Sequence, residues 1–264
     1  MSINDQAHDE IPTVLKHVTV PGRPSYDLLT FKPGCPFLSK QLQSAGVYEP
    51  CETALMCQLL TPGDTVLDIG ANIGYFTILA SKFVGPNGRV FAFEPEAKNF
   101  HVLTQNVDRA GQDNPGGHHS HRPAVGLVPN TQNIQTTSID LFLANHTGGV
   151  NVVKIDAQGW EPSIIKGMKK TLSKNLEKLI VLLEFTPRAQ AAGPGGLDAA
   201  IRLLEDQFTN LLFIDETSMQ VSDFNLKNIS LLVDRGLDCL DGAYAKLLGF
   251  ASPAAYQTAR RRFC

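Results

Sequence analysis

The chain has 264 residues, of which 43% are hydrophobic and 19% charged, a composition typical of a globular protein with a sizeable core. Its formal net charge of −3 gives no general electrostatic attraction to DNA, RNA or anionic lipid, so we expect no nucleic-acid partner. The longest relevant apolar run, residues 179–183, is far too short to span a bilayer. Residues 1–10 are polar and acidic and do not resemble a secretory signal, which predicts a cytoplasmic protein.

Cysteine and histidine patterns give no indication of a metal centre. The five cysteines are odd in number, and no two of them have the CxxC spacing of a zinc knuckle. His118, His119 and His121 fall in a glycine-rich loop without an acidic or cysteine ligand at helical spacing, which favours a solvated loop. We therefore predict neither a disulfide framework nor a metal site.

Apolar stretches at residues 13–20 and 26–31 predict a hairpin or a cap within an N-terminal extension, residues 1–47. The main domain is expected at residues 48–235, and an alanine-rich helical tail at residues 236–264. Inside the main domain, strand-sized apolar runs alternate with helical patterns, which predicts a mostly parallel sheet with helices on both faces. Strands are predicted from residue 65 and near residues 89–93, 123–127, 151–155, 178–185, 211–214 and 229–233, and helices near residues 50–60, 75–83, 96–110, 138–144, 162–175 and 197–207.

Residues 65–80, TVLDIGANIGYFTILA, combine an apolar strand, a glycine turn and an apolar helix. That order places backbone amides at a helix N-terminus beside the carboxyl end of a strand, where open α/β sheets bind nucleotide cofactors. A dinucleotide fingerprint requires a glycine at the position that Asn72 occupies here, so close approach of a diphosphate is disfavoured. Asp68 favours a positively charged ligand, and S-adenosylmethionine has a sulfonium, an amino group and no phosphate.

Three sequence blocks in this order carry a family resemblance: DIGANIGYFT, FEPE and KIDAQGWEPSIIKGM. Together they resemble the FkbM family of S-adenosylmethionine-dependent methyltransferases, over about residues 48–234. The resemblance implies an α/β fold, the class I methyltransferase Rossmann-like three-layer sandwich, with a mostly parallel seven-stranded sheet and an antiparallel last strand. It also implies O-methylation of a hydroxyl on a sugar or secondary metabolite, with S-adenosyl-L-methionine as cofactor and a small-molecule or glycosidic acceptor as partner.

The first two blocks supply the candidate cofactor-binding residues. Glycines allow a tight turn, an asparagine tolerates a left-handed conformation, and Asp68 can accept hydrogen bonds from the methionine amino group or order the loop. Glu94 ends the second strand, where a carboxylate can accept hydrogen bonds from both ribose hydroxyls or instead cap the following helix. The candidate cofactor-binding set is Asp68, Gly70, Asn72, Gly74, Tyr75, Glu94 and Pro95.

Asp156 and Glu184 are the candidate catalytic residues, since each comes where an apolar strand reaches the carboxyl edge of the sheet. Asp156 is a candidate general base, and alternatively it orients the substrate or binds cofactor. Glu184 lies among apolar residues, so it belongs either at the strand mouth or in a buried pair with Lys154.

Two departures from the family pattern leave alternatives open. Gln158 stands where the family usually has glutamate, and the stretch between residues 125 and 151 is short. A cofactor-binding but catalytically impaired module is therefore one alternative, and a nicotinamide-dependent oxidoreductase is a second, disfavoured by the missing middle glycine. Trp160 is predicted to pack at the start of a helix, and His146 is a weaker candidate base near the cleft.

Overall fold

The computed structural model describes residues 12–20, 22, 25–32, 38, 41–42, 46–112, 124–126, 137–192, 195–225 and 245–263. Its strands are β1 (Thr13–Val18), β2 (Tyr26–Phe31), β3 (Thr65–Ile69), β4 (Arg89–Phe93), β5 (Ala124–Gly126), β6 (Val152–Ile155), β7 (Ile180–Phe185), β8 (Asn210–Asp215), β9 (Gln220–Asp223) and β10 (Ala245–Phe250). Its helices are α1 (Pro50–Leu59), α2 (Tyr75–Val84), α3 (Ala97–Gln112), α4 (Ile139–Phe142), α5 (Glu161–Lys166), α6 (Lys169–Lys174), α7 (Pro187–Ala192), α8 (Gly196–Gln207) and α9 (Pro253–Phe263).

The main sheet has the strand order β5-β4-β3-β6-β7-β10-β8-β9. Strands β5, β4, β3, β6 and β7 pair in parallel, whereas β10 lies antiparallel between β7 and β8. The first seven strands of this order have the arrangement of the class I methyltransferase sheet, including its antiparallel last strand, so the predicted fold class is confirmed. The edge strand β9 adds an eighth strand, antiparallel to β8.

Two separate apolar clusters cover the two faces of the sheet and make three layers. One cluster joins the β1–β2 hairpin, α1, α2, α3 and α9 to one face, through buried residues such as Leu28, Leu59 and Ile78. The other joins α5, α6 and α8 to the opposite face, where Ile165 and Met168 are fully buried. Both faces are covered because parallel strands are connected by helices, and the central strands are accordingly mostly apolar, with the buried charged residues Asp68, Lys154 and Lys246 as exceptions.

The prediction of a helical tail over residues 236–264 is wrong for residues 245–250, which form the central strand β10. The short run AKLLGF is apolar except for Lys246, and such a short run does not distinguish a buried strand from a helix. Helix α9 follows it, as a tail helix was expected. The predicted strand at residues 229–233 and the three histidines of residues 118–121 lie outside the described residues.

Smaller differences concern the helix predicted over residues 162–175. The structure divides it into α5 and α6 at Gly167 and Met168, and the additional short helix α7 follows β7. Of the part of the chain that the structure describes, no helix combines the length and the apolar character needed to cross a membrane.

The predicted N-terminal hairpin is present as β1 and β2. Buried side chains attach it to the domain, among them Tyr26, whose hydroxyl donates to the Tyr75 carbonyl at 3.3 Å, and Asn106. The Asn106 amide, 2% exposed on α3, accepts a hydrogen bond from the Leu29 N–H at 2.7 Å. Its Nδ2 donates to the carbonyl oxygens of Leu29, at 3.1 Å, and of Ile73, at 2.7 Å. Asn106 thereby joins β2, α3 and the turn after β3.

We expect Asn106→Ala to lower the free energy of unfolding by about 2–4 kcal/mol, because it leaves buried backbone groups without partners. Chemical denaturation monitored by circular dichroism measures this change. Gln105→Ala is the matched control, since Gln105 is exposed on the same helix and we expect its stability to match the parent. Equal stability of Asn106→Ala and the parent would show that the hairpin attachment does not depend on this side chain.

Candidate functional site

The turn between β3 and α2 is built for close contact with its neighbours. Gly70 has φ 84°, and a Cβ there would lie 1.8 Å from the carbonyl oxygen of Asp156. Gly74, with φ 92°, precedes α2, and a Cβ there would lie 2.5 Å from Leu103 Cδ1. Asn72 has the predicted left-handed conformation, with φ 51°. The turn therefore packs directly against the end of β6, which carries the candidate catalytic Asp156.

Glu94 lies beside this turn at the end of β4 and is 5% exposed. Its Oε2 accepts a hydrogen bond from the Asn72 N–H at 2.7 Å, and its Oε1 accepts from the Glu96 N–H at 2.9 Å. Asn99 Nδ2 also donates to Oε1, at 3.3 Å. The structure thus brings Glu94 and Asn72 together, as expected if both serve one site. Pro95 follows Glu94 directly and is exposed.

Asp68 lies below the turn and is 2% exposed. Its Oδ2 accepts a short hydrogen bond from the Thr77 hydroxyl in the first turn of α2. Burial raises the pKa of the Asp68 carboxyl, against the opposing charge of Lys154. Of the two roles expected for Asp68, the contact with Thr77 corresponds to ordering the strand–turn–helix unit.

Tyr75 differs from the other candidate cofactor residues because its ring is directed into the interior. The side chain is 2% exposed, and its hydroxyl contacts the Thr53 hydroxyl and the Tyr48 N–H, both at 3.2 Å. Its ring packs edge-on against Tyr48 and Phe76. The structure therefore places the Tyr75 side chain in the packing between α1 and α2 and not beside Glu94.

Asp156 and Glu184 come together at the carboxyl edge, as the sequence predicts, and Gln158 joins them. Gln158 Nε2 donates to Asp156 Oδ1 at 3.0 Å and to Glu184 Oε1 at 2.8 Å. Gln158 adopts φ 48°, an uncommon left-handed conformation that directs its amide between the two carboxylates. The residue that departs from the family pattern is thus the bridge between the two candidate catalytic groups.

The two carboxyl groups have opposite pKa shifts. Burial alone would raise the pKa of Asp156, but the ammonium of Lys154, 3.2 Å from Oδ2, and the Gln158 amide hold it below its usual value. Burial, together with the charge of Asp156, raises the pKa of Glu184 to about 7. Two neighbouring carboxyl groups with separated pKa values are typical of a site that holds one permanent anion and one proton acceptor.

Behind Asp156 lies a network of buried charges that the sequence analysis missed. Lys154 Nζ is 3.7 Å from Glu52 Oε1, and Lys246 Nζ is 3.0 Å from Glu52 Oε2. Lys246 is also 2.6 Å from Glu49 Oε1 and 3.5 Å from Glu216 Oε1. Two features of the sequence could have indicated this network. Lys246 lies among the apolar residues of β10, and Glu49 and Glu52 lie close to the first residue of α1.

The start of α1 is fixed by the same network. Glu216 accepts hydrogen bonds from the Cys51 N–H at 2.9 Å and the Glu52 N–H at 3.0 Å, so its carboxylate caps the helix N-terminus from a distant loop. Burial and the neighbouring Glu52 raise the pKa of Glu49 to about 8. Among the described residues, Glu49 Oε2 is buried without a hydrogen-bond partner.

Trp160 and His146 do not lie where the sequence analysis expected them. Trp160 is 67% exposed, because the residue precedes the first turn of α5 and its ring is not covered by the helix. His146 precedes β6 and its ring packs edge-on against Phe91, so it lies at the amino end of the strand, away from Asp156. In the described part of the chain, no group of three or more acidic, histidine or cysteine side chains could hold a metal ion.

Comparisons with known proteins bear on this arrangement. A hexuronic acid methyltransferase of Haloferax volcanii is 30% identical over 127 residues, which are 41% of this chain and 52% of that protein. A protein-L-isoaspartate O-methyltransferase of Methanococcoides burtonii is 36% identical over 67 residues, 25% of this chain and 33% of that protein. The chain thus spans about half or less of the length of these relatives.

Among solved structures, the O-methyltransferase TomG of Streptomyces achromogenes is similar with a TM-score of 0.47 and 15% identity, covering 81% of this chain and 86% of that chain. The fibrillarin of Aeropyrum pernix has a TM-score of 0.42 and 15% identity, covering 75% of this chain and 73% of that chain. The model of the methyltransferase FkbM domain matches residues 68–212, from the candidate cofactor turn to β8. Since this match includes more than half of the chain, the protein belongs to the FkbM methyltransferase domain family.

Proposed function

We propose that this protein transfers a methyl group from S-adenosylmethionine to a hydroxyl group of a sugar or a similar small metabolite. The observation that carries the proposal is the contact between the turn at Gly70 and the backbone of Asp156. It places the candidate cofactor turn directly beside two carboxyl groups, one of which has a pKa of about 7. A sugar acceptor is supported by the similarity to the Haloferax volcanii relative, which is named as a hexuronic acid methyltransferase.

The residues at this edge fit a cationic cofactor. Among the described residues, the carboxyl groups at this edge outnumber the two nearby lysines, Lys154 and Lys246; they are those of Asp68, Glu52, Glu49, Asp156 and Glu184. A buried Glu49 oxygen without a partner among the described residues also suits a ligand that brings a positive charge or an N–H donor. S-adenosylmethionine supplies, when bound, a methyl group activated by the positive charge on sulfur.

Glu94 and the turn would hold the nucleoside part of that cofactor. The Glu94 carboxylate is fixed by the Asn72 and Glu96 N–H groups, so its remaining acceptor positions have a defined direction. A carboxylate in this position suits the two hydroxyls of an unphosphorylated ribose. Asn72 occupies the position where a pyrophosphate-binding turn requires glycine, which argues against the nicotinamide alternative.

Glu184 is the better proton acceptor of the two catalytic candidates. An oxygen that accepts a methyl group must lose its proton, and a base works best when its pKa is near the working pH. The pKa of about 7 gives Glu184 that property, whereas Lys154 keeps Asp156 as a weakly basic anion. We assign proton removal to Glu184 and orientation of the hydroxyl to Asp156, with the Gln158 amide holding the two carboxyl groups in place.

The direct test is methyl transfer from labelled S-adenosylmethionine to a metabolite extract, with the labelled product identified by mass spectrometry. A product methylated on a hydroxyl supports the proposal. Calorimetric binding of S-adenosylmethionine without any labelled product would instead favour the catalytically impaired module, for which the neutral Gln158 is the structural reason. Fluorescence titration with NADH tests the oxidoreductase alternative.

We expect Glu94→Gln to weaken S-adenosylmethionine binding by about ten- to a hundredfold, because hydrogen bonds to a charged acceptor contribute about 1.5–3 kcal/mol. Isothermal titration calorimetry measures the dissociation constant. Glu96→Gln is the control, since Glu96 is exposed and adjacent but bonds only the Asn99 N–H in its own helix turn. Unchanged affinity in Glu94→Gln would remove Glu94 from the cofactor site.

The pH profile tests the roles of the two carboxyl groups. Glu184 must be ionised to accept a proton, so kcat/KM should fall as the pH decreases through about 7. Asp156→Asn removes a negative charge that raises the pKa of Glu184, so this fall should move to lower pH while turnover decreases.

Glu184→Gln should abolish most of the activity, and the remaining kcat/KM should no longer fall as the pH decreases through about 7. Glu205→Gln, an exposed position on α8, should reproduce the parent profile. A parent profile that is flat between pH 5 and 8, or an unshifted profile in Asp156→Asn, would contradict the assignment of Glu184 as the titrating group.

A further inference from the structure

Trp160 is the only tryptophan of the chain, and its side chain is 67% exposed. Tryptophan is mostly buried in proteins because its large ring gains free energy when removed from water. The same ring in an exposed position next to a cluster of polar groups is common at binding sites, since it offers a wide apolar surface. The exposed ring therefore needs an explanation that packing among the described residues does not supply.

Buried hydrogen bonds and close packing hold the turn that carries Trp160. Glu161, 1% exposed, accepts hydrogen bonds from the Ala157 N–H at 3.0 Å and from the Gly159 N–H at 2.9 Å. Gln190 of α7 donates a further short hydrogen bond to Glu161 Oε2. Gly159 has φ 105°, and a Cβ there would lie 2.9 Å from Ala189 Cβ. The turn consequently has little freedom, and the backbone position of Trp160 is defined before any ligand binds.

The same turn contains the catalytic candidates. Trp160 donates a backbone hydrogen bond to the Ala157 carbonyl at 3.2 Å, which closes a tight turn and keeps it near Asp156 and Gln158. One short segment thus presents an exposed apolar ring, an amide and, through that amide, two carboxyl groups. Sugars combine an apolar ring face, formed by C–H groups, with hydroxyls that carboxylates and amides bind.

We infer that the Trp160 ring is the platform on which a pyranose ring of the acceptor stacks while its hydroxyl lies beside Asp156 and Glu184. This inference rests on the proposed function and specifies its acceptor class. Trp160 is thereby a specificity-determining residue that binds the acceptor and takes no part in proton transfer.

The single tryptophan makes the platform directly observable. The full chain, saturated with S-adenosylhomocysteine, is titrated with methyl pyranosides of neutral hexoses while tryptophan fluorescence is recorded. We expect a saturable fluorescence change with at least one pyranoside, and none with sorbitol, which has hydroxyls but no ring with an apolar face. A response that is absent for all pyranosides, or equal for sorbitol, overturns the inference. A change produced by S-adenosylhomocysteine alone would place the ring on the cofactor and overturns it as well.

Kinetics with the identified acceptor supply the second readout. We expect Trp160→Ala to raise the KM for the sugar about tenfold, with kcat and the calorimetric affinity for S-adenosylmethionine close to those of the parent. Trp160→Phe should recover most of the loss, because it restores an aromatic face. Leu141→Ala is the matched control, since Leu141 is 68% exposed but lies on α4, and it should leave both readouts unchanged.

These outcomes separate the inference from the proposed function. If the parent methylates a sugar and Trp160→Ala keeps the parent KM, the acceptor does not stack on Trp160, and the proposed methyltransferase activity is unaffected. If the parent neither binds S-adenosylmethionine nor methylates any acceptor, the proposed function fails. The fluorescence titration without S-adenosylhomocysteine then still decides whether the ring binds a pyranoside.

Discussion

The ion pairs of Lys154 and Lys246 with the glutamates of α1 are the interaction on which the site depends. Lysines are rarely fully buried, yet these two are 4% and 3% exposed, on the central strands β6 and β10. Glu52 contacts both of them, so one carboxylate links the two strands to the N-terminus of α1. Removal of one partner from a buried ion pair typically costs about 3–5 kcal/mol, because a buried charge is left uncompensated. A substitution in this network of ion pairs therefore affects the stability of the fold together with the site.

The network also explains the different chemistry of the two candidate catalytic groups. Lys154 contacts Asp156 directly and keeps it ionised, whereas no positively charged side chain lies within ion-pair distance of Glu184 among the described residues. Glu184 consequently has the higher pKa, although both side chains are bridged by Gln158. A glutamate in place of Gln158 would add a third acidic group at this point. The neutral amide instead donates to both carboxyl groups.

The sequence predicted those parts of the candidate site that directly follow an apolar strand. The turn after β3, Glu94 and Asp156 could be identified because each follows an apolar strand, and the ends of parallel strands meet at one edge. The partners of Lys246 could not be identified in this way, since Glu49 and Glu52 lie at the start of α1, far from Lys246 in sequence, and meet it only through the tertiary fold. The short strand β10 was missed for a different reason, because a brief, mostly apolar run allows either a strand or a helix.

The position of β10 has a consequence for the order in which the protein can assemble. Although this strand is inserted between β7 and β8, it follows both of them in sequence, so the ribosome makes it after the other main-sheet strands. Until Ala245–Phe250 emerges, Glu49 and Glu52 lack the Lys246 counter-charge, and β7 and β8 each have one unpaired edge. Nascent chains that end before this strand should thus be prone to capture by chaperones, and the completed charge network marks a chain that has finished folding.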